Sequence, residues 1–168
     1  VDTTKGETIP PGKKAMAAST QDDISRLGKI SIEEMADCVM LGDELHLDDA
    51  PYETPAGLKE CPIIGARSPD EGLIAGKMAW SHGFQVRYLA VNPGERSRRH
   101  TRDEEEVILI HQGQLTLHFD EGDVEIGIGD VFTVPIGKAR AFSNNSSALT
   151  EAYVVRGGDH RAPPRVLE

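Results

Sequence analysis

Two spaced sets of residues constrain this chain more than anything else in it. The first runs Gly94, five residues, His100, Thr101, Arg102, three residues, Glu106, six residues, Gly113. The second runs Gly129, five residues, Pro135, Ile136, Gly137, two residues, Arg140, three residues, Asn144. Glycine and proline at fixed offsets set turns, and turns at fixed offsets set strand lengths. Between the turns lie short, β-rich segments at residues 84–91, 106–111, 114–119, 123–128, 131–134 and 149–155. Leu115, Leu117 and Phe119 alternate with Thr116, His118 and Asp120, the period-two pattern of a half-buried strand. Gln112-Gly113, Glu121-Gly122 and Gly129-Asp130 mark turns. Gly127-x-Gly129 has part of a nucleotide-binding spacing, but no helical pattern follows it, so it reads as a hairpin turn. Evenly spaced short strands of this kind build a sandwich or a barrel.

The N-terminal half has a different texture. Residues 1–20 hold Gly6, Pro10, Pro11 and Gly12 with little periodicity and read as an extended arm. Residues 21–27 suggest a short helix closed by Gly28. Residues 31–40 suggest a better one: Ser31 and Glu34 form a capping box, Ile32, Met35 and Val39 share a face, and Gly42 ends it. Residues 43–83 are punctuated by proline and glycine, with room for short strands at 58–64 and 73–80. The expected division is therefore an N-terminal arm, short helices and irregular extension over 1–83, packed on a barrel over 84–157 that ends in a C-terminal tail to 168.

Length and charge narrow the functional classes. A chain of 168 residues has the size of one domain and buries roughly 70% of its unfolded surface, enough for a core without staples. Its net charge of −10 argues against nucleic acid and against an anionic membrane as partners. Cys38 and Cys61 have no metal-ligand or redox spacing, so two reduced thiols in a cytoplasmic protein are expected. No apolar run approaches a membrane span, and Lys5, Lys13 and Lys14 are not followed by the apolar stretch of a secretory leader.

The two spaced sets resemble the paired motifs of the cupin superfamily, G-x5-H-x-H-x3-E-x6-G and G-x5-P-x-G-x2-H-x3-N. Every glycine, the proline, the asparagine, the first histidine and the glutamate fall in register; the other two histidines are arginine here. The match is close over 94–144 and covers the layout of 84–157. It implies an all-β fold, the cupin barrel, a double-stranded β-helix or jelly roll. In that family the His, His, Glu and His positions converge on one metal such as Fe(II), Mn(II), Ni(II) or Zn(II).

Here only His100 and Glu106 keep ligand chemistry at those positions, and Arg102 and Arg140 take the other two. Arginine has no lone pair and stays charged. At an effective dielectric of ~20, two like charges ~4 Å apart repel by roughly 4 kcal/mol, so two guanidinium groups beside a divalent ion oppose its binding. No catalytic residue and no cofactor are therefore expected in this chain, and His100, Arg102, Glu106 and Arg140 read as vestigial metal positions. Three alternatives stay open, one of them a metal held with a donor recruited from elsewhere such as His82. Otherwise Glu106 between the arginines forms a salt-bridge cluster that fills the cavity, or Arg102 and Arg140 hold a small anion.

Other charged and imidazole groups carry weaker signals. Arg96, Arg98 and Arg99 form a basic cluster before His100, read as solvated or paired with Asp103, Glu104 and Glu105. Of the run 103–106, only Glu106 is expected to point inward. His111 and His118 read as surface histidines, His82 as a packing residue near the barrel mouth, and His46 and His160 carry no pattern.

The whole chain is similar to the small subunits of two-component hydroquinone 1,2-dioxygenases, which act in bacterial aromatic catabolism. The chain length, the arm around residues 6–14 and the altered ligand set carry the likeness. It implies a heteromer in which a larger catalytic cupin subunit holds Fe(II) and cleaves the ring, and this chain supports it. The competing readings are a free-standing cupin enzyme using His100 and Glu106, and a metal-free small-anion-binding protein using Arg102 and Arg140.

Overall fold

The computed structural model describes residues 40–45, 52–53, 57–64, 67–68, 72–73, 83–157 and 163–168. The strands are β1 (Tyr52–Glu53), β2 (Lys59–Ile64), β3 (Arg67–Ser68), β4 (Gly72–Leu73), β5 (Phe84–Val91), β6 (His100–Thr101) and β7 (Glu106–Gln112). They continue with β8 (Gln114–Phe119), β9 (Gly122–Gly127), β10 (Val131–Val134), β11 (Ala141–Ser143), β12 (Thr150–Gly157) and β13 (Arg165–Val166). One 3-10 turn spans Gly42–Glu44. The expected arm and the helices at 21–27 and 31–40 lie outside the described residues except for Met40.

Two antiparallel sheets make the barrel. One has six strands in the order β1-β2-β5-β12-β7-β10; the other has three in the order β11-β8-β9. The fold is all-β, as the spacing of turns and strands required. β2 pairs with β5 from Lys59↔Ala90 onward, so the larger sheet continues across the boundary set at residue 84. Pro62 sits where the β2–β5 register shifts and beyond the reach of β1, a place where its missing N–H costs no ladder bond.

Period-two alternation decides what points inward. Ile108 and Ile110 of β7, Leu115 and Leu117 of β8, Ala152 and Val154 of β12, and Leu89 and Val91 of β5 meet between the sheets. Phe142, Ile126 and Val134 complete this core. A second cluster on the outer face of the large sheet joins Cys61, Ile63 and Tyr88 to Met40 and Leu45. Cys61 is a buried free thiol in it.

The motif glycines set the turns. Gly113, between β7 and β8, has φ +76°, and a Cβ there would meet Leu149 O at 2.6 Å. Gly129 also has positive φ, but the turn it serves is not a hairpin: Asp130 N bonds Gly127 O, while β9 pairs with β8 and β10 with β7. That turn carries the chain from one sheet to the other. Local sequence marks a turn, whereas the sheet that each flanking strand joins depends on distant residues. No helix among the described residues is long and apolar enough to cross a membrane.

Candidate functional site

The same alternation that buries the core apolar residues also aims charges inward at one end of the barrel. Arg102, Glu104 and Glu106 are buried, while Asp103 and Glu105 between them are exposed. On β12 the inward series Ala152, Val154 ends in Arg156. On β2 the buried Glu60 reaches Arg156 through its side chain. The His100–Arg140 bridge brings Arg140 alongside: His100 N bonds Arg140 O at 2.9 Å and Arg140 N bonds His100 O at 3.0 Å. Asn144 secures the turn that follows, donating to Val91 O and Ala148 O and accepting from Ser146 N.

Glu106 is the hub. Its side chain is completely buried. Arg140 Nη2 donates to Oε1 at 2.9 Å, and Arg156 Nε donates to Oε2 at 2.8 Å. Arg102 Nε stands 3.4 Å from Oε2. Burial alone would push this carboxyl up; Arg156, Arg140 and Arg102 outweigh it and hold the group down at about 2.

Arg156 extends the network. Its Nη1 and Nη2 fork onto Glu60 at 2.9 and 2.5 Å, a bidentate pair. Burial opposes the charge on Glu60, yet Arg156 and then Arg87 hold its carboxyl below the usual range. Burial likewise opposes the charge on Arg156, and Glu60 and Glu106 more than restore it. Arg102 has a weaker hold: burial, then the like charge of Arg156, bring it down to about 10.

Glu104 corrects the expectation that only Glu106 of its run points inward. It is buried, its Oε1 accepts from Gln85 Nε2 at 3.0 Å, and Oε2 lies 3.7 Å from Arg102 Nη1. Burial pushes its carboxyl up despite Arg156 and Arg102. Burial alternates through the bend at residues 103–104 that joins β6 to β7, so Glu104 shares the inner side with Arg102 and Glu106.

His100 is almost fully buried, edge-on to Phe142 at 5.6 Å. Its Nδ1–H donates to Arg98 O at 2.8 Å, which assigns the lone pair to Nε2. Burial, chiefly, holds the imidazole down at about 4, with Arg140 and Arg102 adding to it. The ring is therefore neutral near pH 7.

These residues do not fit a cupin metal. A metal would need Glu106 as a ligand, and both its oxygens already accept from guanidinium groups. Arg102 and Arg140 offer no lone pair. Among the described residues no group of three or more His, Cys, Asp or Glu stands close enough to hold an ion.

The other marked residues go elsewhere. Arg99 pairs with Asp120, and Asp103 with Arg165 at 2.7 Å, rather than with each other's neighbours. His111 is exposed, 5.8 Å from the Tyr153 ring. His118 lies on the polar outer face of the small sheet, with Nδ1 on Asp123 at 2.8 Å and Nε2 on Ser143 Oγ at 2.7 Å. Ser143 is buried and also bonds Asn145, so this line holds the sheet face rather than presenting a nucleophile. His46, His82 and His160 lie outside the described residues. Sequence reading missed Glu60 and Arg156; an arginine on the inward phase of an otherwise apolar strand was the available signal for the second.

Residues 87–156, less than half of the chain, match the cupin domain family. No curated protein sequence matches the chain significantly. Among solved structures, the polyketide cyclase RemF from Streptomyces resistomycificus is 20% identical, with TM-score 0.56, covering 77% of this chain and 87% of its own. A conserved protein with a double-stranded β-helix domain from Klebsiella pneumoniae is 10% identical, with TM-score 0.52, covering 73% and 96%. A Cupin 2 conserved barrel domain protein from Salinispora arenicola is 22% identical, with TM-score 0.51, covering 66% and 84%. At these identities the likeness is one of fold. The chain thus has the fold of a cupin double-stranded β-helix, and the match to the cupin domain family spans residues 87–156.

Proposed function

We propose that this chain is a non-catalytic cupin subunit that supports a larger, metal-bearing cupin partner. One observation carries the reading: both oxygens of Glu106 are committed to Arg140 and Arg156, so the carboxylate that a metal would need is spent on an internal salt bridge. A barrel filled this way keeps its shape without an ion, which suits a part that stabilises an assembly.

The likeness to the small subunits of two-component hydroquinone 1,2-dioxygenases supplies the finer proposal. The partner would hold Fe(II) and cleave a para-diphenol ring. The chain itself would supply no reacting group.

The small-anion reading is less well supported. Arg140 gives Nη2 to Glu106 and Nη1 to Lys138 O at 3.3 Å, which leaves it poorly placed to clamp a ligand with Arg102. The free-standing enzyme would need His100 to act without Glu106.

The test is metal content after incubation with Fe(II), Mn(II) and Zn(II), followed by reconstitution with a large hydroquinone dioxygenase subunit. We expect no retained metal, and ring cleavage that is more durable with the chain than without it. A metal retained by this chain alone, with turnover, would overturn the reading.

A further inference from the structure

Among the described residues, one side of the barrel has nothing over it. β10 is the last strand of the six-stranded sheet and β9 the last of the three-stranded sheet. Among the described residues neither has a strand beyond it. Between the two edges lies a groove of about 520 Å³ walled by Phe119, Val124, Phe132 and Pro135. The two phenylalanine rings stand 5.7 Å apart.

The surroundings are apolar as well. Val131 on β10 is 58% exposed, and Ile128 and Ile136, in the turns on either side of that strand, are 72% and 66% exposed. Folded chains usually protect a sheet edge with charge, proline or a bulge. The sequence of β10, Val-Phe-Thr-Val, contains no charge and no proline, and its register with β7 runs without a shift.

We propose that this side docks an extended apolar segment of another protein chain, one that carries lysine or arginine beside its apolar residues. The segment adds a strand to the β10 edge and lays one side chain against the Phe119–Phe132 pair. Charge selects this occupant over a second copy of the chain. Glu121 and Asp123 line the groove with one lysine, Lys138, which is paired with Glu121; Asp123 rests on His118, Glu125 is exposed on β9, and Asp130 caps the turn before β10. A second copy would bring the same acids against them, whereas a basic segment complements them. The inference rests on the subunit reading and says where the partner sits.

The experiment titrates the intact chain with labelled synthetic strand peptides, one alternating valine with lysine and a twin with glutamate for lysine, by fluorescence anisotropy. We expect saturable binding of the lysine peptide, at least about tenfold tighter than its twin. V131K, at an exposed site that need not disturb folding, weakens it by about tenfold, and L41K, away from the groove, leaves it unchanged. Equal affinity for the two peptides, no saturable binding, or indifference to V131K would overturn the proposal. A dimer in sedimentation equilibrium that V131K dissociates would also overturn it, in favour of a second copy. Peptide binding by a chain that retains metal would sink the subunit reading but leave the surface standing; a metal-free chain that ignores the peptides would sink the surface alone.

Discussion

Arg156 and Glu106 face each other across β12 and β7, and Arg156 holds Glu106 with one edge of its guanidinium while forking onto Glu60 with the other. Three strands, β2, β7 and β12, are thereby tied by a single cation. Each carboxylate is buried, so the charges depend on one another. Breaking a buried pair on one side leaves an uncompensated charge and typically costs about 3–5 kcal/mol.

Glu106→Gln therefore destabilises the chain by about 3–5 kcal/mol, because Arg140 and Arg156 keep their charges and lose their common partner. Urea unfolding measures the loss. A change well under about 1 kcal/mol, the range of a surface ion pair, would show that the network is solvated rather than buried.

Acid should unfold the chain in two successive windows. The His100 ring is held at about 4 against an ordinary 6.5, so the unfolded chain takes up that proton first, and stability falls as pH drops from 6.5 to 4. Glu106 is held at about 2 against an ordinary 4.5, so its contribution is complete above 4.5 and is lost as pH falls to 2. Each shift corresponds to about 3 kcal/mol. Glu104, pushed up by burial, works in the opposite sense and offsets part of the loss. Denaturant midpoints measured against pH should show the upper window flattened in His100→Gln and the lower one kept.

Gly113→Ala tests the turn that joins the two sheets. The new Cβ meets Leu149 O at 2.6 Å, a backbone atom that cannot swing aside, at a φ of +76°. The left-handed backbone alone costs an L-residue about 1–2 kcal/mol, and the clash adds to it. Thermal unfolding should fall clearly; an unchanged midpoint would mean that the 149–150 backbone moves freely.

The double substitution R102H/R140H returns imidazoles to the two altered positions and releases Oε1 of Glu106. His100 already presents a neutral ring with its lone pair on Nε2. The variant should take up Mn(II) or Fe(II) and gain thermal stability with added metal, while the parent does not. Elemental analysis after dialysis checks it. Failure of the variant to bind would mean that Arg156, still on Oε2, is enough to keep the ion out.

Much of the barrel is legible in the chain itself. Period-two alternation and turn residues place β5, β8 and β10 at the expected bounds and β7, β9 and β12 within two residues of them. The two-residue strands β6 and β13 carry no local pattern, because they exist only through each other, as Val166↔His100 shows. The candidate site is legible only in part. Arg102 and Arg140 meet at Glu106, and His100 pairs with Arg140 through the backbone; turn geometry and strand phase are local, but the register that joins these strands is not.

Short-range spacing was enough to place the longer barrel strands, most of their inward phase and the loss of two metal-ligand side chains. How the resulting buried charge is balanced depends on tertiary packing. Glu60 and Arg156 stand 96 residues apart in the chain. Nothing in the spacing of either announces the other, because a salt bridge between strands depends on sheet order and register, and these are set by the packing of the whole core.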